Sequence, residues 1–252
     1  MISRPALLAV LAAATVAVQG CDSRSAGPTD PGNSGRLDPA NPNEPEVCLG
    51  PDGNPLPTAP DSQRVDLGEP TFSDPTNVTN QLFPIGTLFR AVFYGKVEGA
   101  SLRLETTLLS ETRTLEVDGQ LVETLVSQFV AWVDGRIHEV AIDHYGQADD
   151  GSVWYFGEDV FNYEDGAVGD TEGTWLAGRD GPAAMIMPAN PKVGDVWRPE
   201  NICGVVFEEV TATATGLTVE SAHGPVTGAL VVQELHMDAT LEDKTFAPGY
   251  GE

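Results

Sequence analysis

The sequence predicts an all-β domain, an antiparallel meander of about ten to twelve strands that forms a curved sheet, either barrel-like or a sandwich. Three observations predict this class. Apolar and polar residues alternate with a period of two along most of the chain after residue 65. Gly-containing turns separate these segments, and four of them carry the Asp-Gly pair typical of hairpins. No segment has a sustained helical stripe with capping residues.

The first twenty residues have the layout of an export signal. One positive charge, Arg4, precedes an apolar run over residues 6–14, and small residues follow this run. The run is too short to span a bilayer comfortably. The stretch ends at Val18-Gln19-Gly20 and leads directly into Cys21. This phrase resembles the lipobox of bacterial lipoproteins.

The resemblance implies a processed and acylated chain. In that family the cysteine thiol carries diacylglycerol, the signal is removed before it, and the new amino terminus is acylated, with palmitate as the expected chain. Two or three acyl chains anchor a protein stably, whereas one binds only marginally. We therefore expect residues 1–20 to be a signal peptide and Cys21 to attach the protein to the bacterial cell envelope, facing the periplasm or the exterior. The alternative is an ordinary cleaved signal with Cys21 as a chance thiol.

The residues after Cys21 have the composition of a linker. From residue 22 to about residue 61 the chain is dominated by Pro, Gly, Asn, Ser and acids. Such a segment has too little apolar surface to offset the entropy lost on ordering. We predict a flexible, Pro/Gly-rich tether over residues 21–61, fixed only near Cys48, and a single β-rich domain over residues 62–252.

Each successive segment after the tether predicts a strand. Segments 87–95 and 101–117 alternate over much of their length, whereas segment 120–133 is apolar at nearly every position in its second half, which predicts burial on both faces. The chain lacks a Cys-Trp-Cys spacing, so a meander fits better than an immunoglobulin pattern. The further strand segments are RIHEVAIDHYGQ, SVWYFGEDVFNY, CGVVFEEVTATAT, LTVESAH, GPVTGALVVQELH and ATLEDKTFAPGYG.

Two cysteines, Cys48 and Cys203, remain for the folded domain. Thiols tend to pair in the oxidising compartments that receive exported proteins. We predict a disulfide between them, which would attach the end of the tether to the domain. Two separate buried thiols are the alternative.

The charge balance excludes one class of partner. The chain has 13 Lys and Arg against 38 Asp and Glu, a formal net charge of −25. A surface this acidic repels nucleic acid and anionic lipid head groups and attracts cations. We therefore expect no nucleic-acid partner. The acidity itself has a simpler interpretation as a contribution to solubility.

Two sets of residues are candidate ligand sites. Aromatic side chains at strand positions are candidates to line a cavity for an apolar ligand or a sugar ring, or else they are ordinary core residues. Acids near the turns are candidate Ca²⁺ ligands, since about six to eight oxygens hold this ion, or else they are solvated turn residues. The aromatic set is Trp132, Trp154, Phe156, Trp175 and Trp197, and the acidic set is Asp149, Asp150, Glu158 and Asp159.

The sequence contains no recognisable catalytic motif. The four histidines are scattered, without a His-x-His or His-Glu-x-x-His spacing, and no serine lies in a Gly-x-Ser-x-Gly elbow. No cofactor is expected, and we assign no catalytic residue. Paired carboxylates for hydrolysis remain an alternative because an acidic chain offers many pairs.

Three phrases resemble a group of bacterial secreted proteins and lipoproteins that have no established activity. They are HYGQADDGSVWYFGEDVFNYEDG, IMPANPKVGDVWR and FAPGYGE, with LFPIGTLFR at residues 82–90 echoing the start of their domain. The resemblance covers residues 82–252 and implies a secreted β-rich domain with one more strand after the APG phrase.

Together these features predict a membrane-tethered exported lipoprotein. Its β domain is expected to be non-catalytic and to bind a small apolar ligand or another envelope protein. Two alternatives remain: a secreted hydrolase that uses acidic residues, and a Ca²⁺-stabilised adhesion or structural module.

Overall fold

A computed structural model describes residues 47–221 and 223–252. The predicted signal peptide, Cys21 and the first part of the predicted tether lie outside these residues. Across the described part of the chain, no helix is both long enough and apolar enough to cross a membrane.

The described residues form an all-β domain, as the sequence predicts. Two single-turn 3-10 helices, Asp61–Gln63 and Ile85–Thr87, precede the strands. Twelve strands follow in this part of the chain: β1 (Arg90–Val97), β2 (Ala100–Val117), β3 (Gln120–Val133), β4 (Arg136–Gln147), β5 (Val153–Glu164), β6 (Ala167–Asp170), β7 (Trp175–Leu176), β8 (Ala184–Met187), β9 (Val196–Ile202), β10 (Val206–Ser221), β11 (Gly224–His236) and β12 (Leu241–Phe246).

The strands form two antiparallel sheets that do not close into a barrel. Sheet 1 has eight strands in the order β1-β2-β3-β4-β5-β6, with β7 and β8 also pairing with β5. Sheet 2 has four strands in the order β12-β11-β10-β9. Strands β1–β6 of sheet 1 and all four strands of sheet 2 are therefore meanders in which consecutive strands are neighbours, which is the topology that closely spaced hairpin turns favour.

Three Asp-Gly turns adopt the backbone conformation that two-residue hairpins require. Both turn residues have positive φ in each of them, Asp118-Gly119 (50° and 77°), Asp134-Gly135 (47° and 76°) and Asp165-Gly166 (52° and 83°). Positive φ at both positions defines a type I′ turn, whose twist matches that of the flanking strands. These three predicted hairpin turns are confirmed, and Glu98-Gly99 forms a further one between β1 and β2. The fourth predicted turn, at Asp150-Gly151, lies in the longer connection between β4 and β5, and only its glycine has positive φ.

The main hydrophobic core joins the two sheets. Its buried members include Tyr145 and Trp175 from sheet 1 and Trp197, Val210 and Leu230 from sheet 2. These side chains are at most 2% exposed. Burial of this apolar surface is the main favourable contribution to packing sheet 1 on sheet 2.

The disulfide attaches the start of the described chain to sheet 2. Cys48 is bonded to Cys203, with 4.9 Å between their Cα atoms. Leu56 is buried in a cluster with Phe207 and Leu235, and the Cys48 side chain belongs to the same cluster. Residues 47–61, which the sequence places in the tether, are thus held against the domain.

A β-bulge in β5 determines which side chains face sheet 2. Asp143 and Tyr145, two residues apart on β4, pair with Glu158 and Tyr155, which are three residues apart on β5. The extra residue places Tyr155 and Glu158 on one face, although regular alternation would separate them. Gly157 lies within the bulge at φ 102°, a conformation that favours glycine.

We predict that Gly157→Ala destabilises the domain strongly. A Cβ atom at this position would lie 2.2 Å from the carbonyl oxygen of Trp175, and φ would remain unfavourable. We expect a loss of about 3 kcal/mol or more in the free energy of unfolding, measured by denaturant titration. Gly166→Ala is the matched control, because it has positive φ but nothing within 4 Å, and about 1 kcal/mol is expected. Equal losses would contradict the steric explanation.

Candidate functional site

The inner face of sheet 2 carries charged side chains where apolar ones are expected. Alternation places Glu208, Val210 and Ala212 of β10 on the same face, and Glu208 pairs across the strands with His236 of β11. On the next row, Glu234 of β11 pairs with Glu242 of β12. The ion cluster, as we call it here, consists of Glu208, Glu234, His236, Glu242 and Lys244.

Short distances connect the members of the ion cluster. Lys244 Nζ donates to Glu234 Oε1 at 2.9 Å and lies 3.9 Å from Glu242 Oε2. His236 Nδ1 lies 3.2 Å from Glu208 Oε1. Glu208, Glu234, His236 and Lys244 are all at most 6% exposed. Three carboxyl groups thus share two cationic side chains in an interior location.

A second group of buried acids, here called the carboxyl cluster, joins the two sheets. It consists of Asp143 and Glu158 of sheet 1 and Glu200 of sheet 2, each at most 1% exposed. The Ser127 hydroxyl and the Tyr155 hydroxyl donate to Asp143 at 3.0 and 3.1 Å.

The other two acids of the carboxyl cluster have different environments. Trp175 Nε1 donates to Glu200 Oε1 at 3.2 Å. Both carboxyl oxygens of Glu158 are buried without a hydrogen-bond partner among the described residues. Ionisation of such a group is energetically costly. Within the carboxyl cluster, Glu158 is therefore the acid that a bound proton or a nearby cation would stabilise most.

A β-bulge in β9 brings Glu200 into the carboxyl cluster. Glu208 and Val210, two residues apart on β10, pair with Glu200 and Trp197, which are three residues apart on β9. This bulge places an aromatic ring and a carboxyl group on the same face, as the bulge in β5 does for Tyr155 and Glu158.

Burial raises the pKa values of the acids that lack a cationic partner. The pKa of Glu158 is raised well above its ordinary value by burial and by the charge of Glu200. Burial raises the pKa of Asp143 to about 7, although hydrogen bonds from Ser127 and Tyr155 oppose the increase. Burial and the charge of Asp143 raise the pKa of Glu139, on the same strand, to about 8. These acids retain protons that they would lose in water.

Pairing dominates at His236 and Glu208 of the ion cluster, whereas burial and the charge of Glu208 raise the pKa of Glu234 to about 8. Burial lowers the pKa of His236, but contacts with Glu208 and Glu242 outweigh it and raise the value to about 10. Burial raises the pKa of Glu208, but His236 and Lys244 lower it below its ordinary value. His236 is therefore an imidazolium at neutral pH in the protein without ligands.

A cavity of about 870 Å³, including the part open to solvent, lies between the sheets beside these groups. Its walls are mainly apolar. The polar groups that line it come from both sheets and include Asp143, Glu208, Glu234 and Lys244. The apolar lining residues include Phe83, Ile85, Leu88, Phe93, Phe129, Ile186, Trp197, Val210 and Phe246. Such a combination of apolar walls and a few polar groups is typical of small-molecule sites.

The five aromatic residues that the sequence predicts to line a ligand site lie in different parts of the structure. Trp197 alone of the five lines this cavity. Trp154, Phe156 and Trp175 are buried in the main core, because their large side chains fill the space around β5. Trp132 lies on β3, and the guanidinium of Arg103 on the neighbouring strand β2 is 4.2 Å from its ring centroid.

The four candidate Ca²⁺ ligands are not brought together. Asp149 accepts hydrogen bonds from Thr71 and Ser73, and Asp150 accepts two from Ser152. Asp159 pairs with Arg113. Glu158 points the other way into the interior, because successive residues of a strand face opposite sides.

The sequence did not identify His236 and its acidic neighbours as a candidate site. Among the described residues, Glu208, Glu234 and His236 form the one group of three with ligand atoms within 4.8 Å of one another. They are distant along the chain, so no motif spacing indicates them. The available signal was the presence of acids at inward positions of the alternating segments VVFEEV and VVQELH.

Comparisons with known proteins add no relative: no protein-family model, no curated protein and no solved structure matches this chain. The cavity and the two clusters are therefore the features that bear on function. They combine a concave apolar surface with titratable groups of perturbed pKa, which is the usual composition of a binding site.

We predict that Glu139→Gln stabilises the protein at pH 8 but not at pH 4.5. The folded-state pKa of Glu139 is about 8 against an ordinary value of 4.5, so the unfolded chain ionises first and stability falls as pH rises between these values. Because glutamine does not ionise, the variant should gain on the order of 3 kcal/mol at pH 8 in denaturant titrations. An equal effect at both pH values would contradict the assigned pKa.

Proposed function

We propose that this protein is a membrane-tethered exported lipoprotein whose β domain is a non-catalytic binding module for an apolar small molecule with a positively charged end. The cavity between the two sheets is the observation that carries the proposal. The envelope location and the lipid anchor come from the sequence pattern around Cys21.

The walls of the cavity favour an apolar body. Aromatic and aliphatic side chains from both sheets and from the segment before β1 line it, among them Phe83, Phe129 and Phe246. Transfer of apolar ligand surface from water onto such walls is favourable by roughly 25 cal/mol per Å².

The polar groups of the cavity favour a cationic end. The carboxyl groups of Asp143, Glu208, Glu234 and Glu252 line the cavity, with Lys244 as the cationic side chain among them. Acids therefore outnumber the cation, and the whole chain adds a negative field. An amine placed near Asp143 would favour loss of the proton that burial helps this acid to retain, and would then gain a charged hydrogen-bond partner, whereas a carboxylate would favour the protonated acid.

We predict that the purified full-length protein binds decylamine more tightly than decanol and decanol more tightly than decanoate. Titration calorimetry at pH 7 with a chelator present measures the three affinities. Each ligand is unbranched and has ten carbon atoms, so the order mainly reports the charge preference of the cavity. Decanoate binding as tightly as decylamine would contradict the proposed ligand class.

Two substitutions test whether these ligands bind in the cavity between the sheets. Ala91→Trp introduces a large ring at the cavity wall and should weaken all three ligands at least tenfold. Asp143→Asn should reduce the preference for decylamine over decanol, while Asp165→Asn, in an exposed turn, should leave it unchanged. If Ala91→Trp has no effect, then the ligands bind elsewhere and the cavity proposal fails.

We also predict that Cys21→Ser releases the protein from membranes. Without the thiol no diacylglycerol can be attached, so the variant should move from the membrane fraction to the aqueous fraction during detergent phase partitioning. Cys48→Ser is the control, since it retains Cys21 and should stay with the membrane. Wild-type protein that partitions into the aqueous phase, with an unmodified Cys21 in mass spectrometry, would contradict the anchor.

A further inference from the structure

The outer face of sheet 1, which is directed away from sheet 2, carries exposed apolar side chains along β1. Ala91 and Phe93 of this strand line the cavity between the sheets, so alternation directs Val92 and Tyr94 to the outer face. Tyr94 is 78% exposed, and Phe89, immediately before β1, is 83% exposed. Large apolar side chains are thus in contact with water along the edge of the sheet.

Strand pairing continues this apolar surface across sheet 1. Tyr94 pairs with Arg103 of β2, and Arg103 pairs with Trp132 of β3. Trp132 pairs in turn with the exposed Ile137 of β4. The adjacent row consists of Val92, Glu105, Val130, Val140 and Phe161. The apolar members of the two rows are here called the outer patch: Val92, Tyr94, Val130, Trp132, Ile137, Val140 and Phe161. Contiguous exposed apolar surface of this kind marks interaction sites.

Cationic side chains accompany the outer patch. Arg90 and Lys96 lie on the outer face of β1, and Arg103 lies within one of the two rows. The Arg103 guanidinium is 4.2 Å from the ring centroid of Trp132. Glu105, the acid within the two rows, pairs with Arg90 at 3.3 Å and also with Arg103. Cations therefore outnumber acids on this part of the surface, although the formal net charge of the chain is −25.

The acidity of the whole chain acts on this surface only weakly. At physiological ionic strength, charges farther apart than the Debye length of about 8 Å are largely screened from each other. Two turn acids, Glu98 and Asp134, lie at one end of these strands, and Asp134 accepts a hydrogen bond from the Ser101 amide at 2.8 Å. The repulsion of anionic lipid that the net charge predicts therefore does not extend to contact through the outer patch.

We propose that the outer patch docks against the surface of a membrane that contains anionic phospholipids. Rings such as those of Tyr94 and Trp132 favour the interfacial region of a bilayer, which accommodates an apolar body together with a polar tip. Lys and Arg side chains at such a surface are attracted to the lipid phosphates. The docking surface goes beyond the proposed ligand site, which lies on the opposite face of sheet 1.

A lipid surface complements the outer patch better than two other occupants do. A second copy of this chain would place the same cations opposite one another in a symmetric contact, and it would bring two strongly acidic molecules together. The predicted tether supplies acids but few apolar residues, so it does not match the exposed rings. An anionic bilayer offers both phosphate groups and an apolar interior.

The predicted tether would make weak docking sufficient in the anchored protein. Roughly 25 residues separate Cys21 from Cys48, and a flexible chain of this length has a root-mean-square end-to-end distance of roughly 25–30 Å. A link this short holds the domain near the bilayer at a high effective concentration. This step rests on the proposed lipid anchor, whereas binding through the outer patch does not.

The test measures vesicle binding without an acyl chain. Residues 21–252, which include every described residue, are prepared with Cys21→Ser and sedimented with vesicles of phosphatidylcholine alone or of equal parts of phosphatidylcholine and phosphatidylglycerol. We expect binding to the anionic vesicles to be at least fivefold stronger at low salt. High salt should reduce this preference, because ions screen the attraction between the cations and the phosphates.

Substitutions of exposed residues locate the contact. Tyr94→Ser and Lys96→Glu should each weaken binding to the anionic vesicles at least threefold. Leu121→Ser, at a residue that is 76% exposed outside the outer patch, is the matched control for the tyrosine. Lys192→Glu, in the exposed segment before β9, is the matched control for the charge change. All four variants should keep the wild-type Tm because their side chains are exposed.

Brominated lipid chains give a direct readout because bromine quenches the emission of nearby tryptophans. Trp154, Trp175 and Trp197 are at most 5% exposed, whereas Trp132 is half-buried. Vesicles with brominated chains should therefore quench mainly Trp132, and Trp132→Phe should abolish the quenching. Quenching that persists in this variant would indicate lipid in the cavity beside Trp197 and would overturn docking through the outer patch.

Three further results would also overturn the proposal. They are the absence of vesicle binding, equal binding to neutral and anionic vesicles, and equal binding by Tyr94→Ser and Leu121→Ser. A dimer that Tyr94→Ser dissociates, in a protein that does not bind vesicles, would assign the outer patch to a second copy of the chain. These measurements use neither decylamine nor an acylated chain, so failure of the outer patch is observed separately from failure of the cavity or of the anchor.

Discussion

The burial of carboxyl groups between the two sheets is the constraint on which the rest of the interior depends. Removal of an ionised carboxylate from water costs several kcal/mol. This protein compensates in two ways. Glu158 retains a proton because it is buried and lies beside other acids, whereas Glu208 remains ionised beside His236 and Lys244. Apolar side chains of similar size would often give a more stable core, so stability alone does not explain these acids.

The buried acids also divide the apolar interior. Ala141 and Val160 belong to one hydrophobic cluster, and Tyr145 and Tyr155 belong to the other. The paired residues Asp143 and Glu158 lie between them along β4 and β5. Close packing of apolar side chains is therefore interrupted at the level of the acids, where the cavity lies and where both polar and apolar groups are available to a ligand.

The fold could be predicted from the sequence because its signals are local. A period of two identifies strands, and Asp-Gly pairs identify hairpins such as Asp118-Gly119, since only a few residue types accept positive φ. The candidate site could not be predicted, because it depends on pairing between distant strands. Glu208 and His236 become neighbours only when β10 and β11 pair in one particular register.

The bulges in β5 and β9 explain why some side chains face the interior although regular alternation along the sequence does not predict it. An extra residue in a strand reverses the alternation, so Glu158 enters the interior with Tyr155 instead of lying at a turn with its sequence neighbours. The bulge in β9 likewise places Trp197, which lines the cavity, on the same face as Glu200. Hydropathy patterns indicate which segments are strands, but they do not show where such an insertion occurs.

The position of the disulfide determines how a mechanical load enters the domain. A pull on the chain before Cys48 passes through the sulfur atoms to Cys203, next to the turn between β9 and β10. The 155 residues of sequence separation between the two cysteines are bypassed. Force applied from the amino-terminal side therefore acts on sheet 2 first, and the hairpins of sheet 1 are not unzipped one after another from β1.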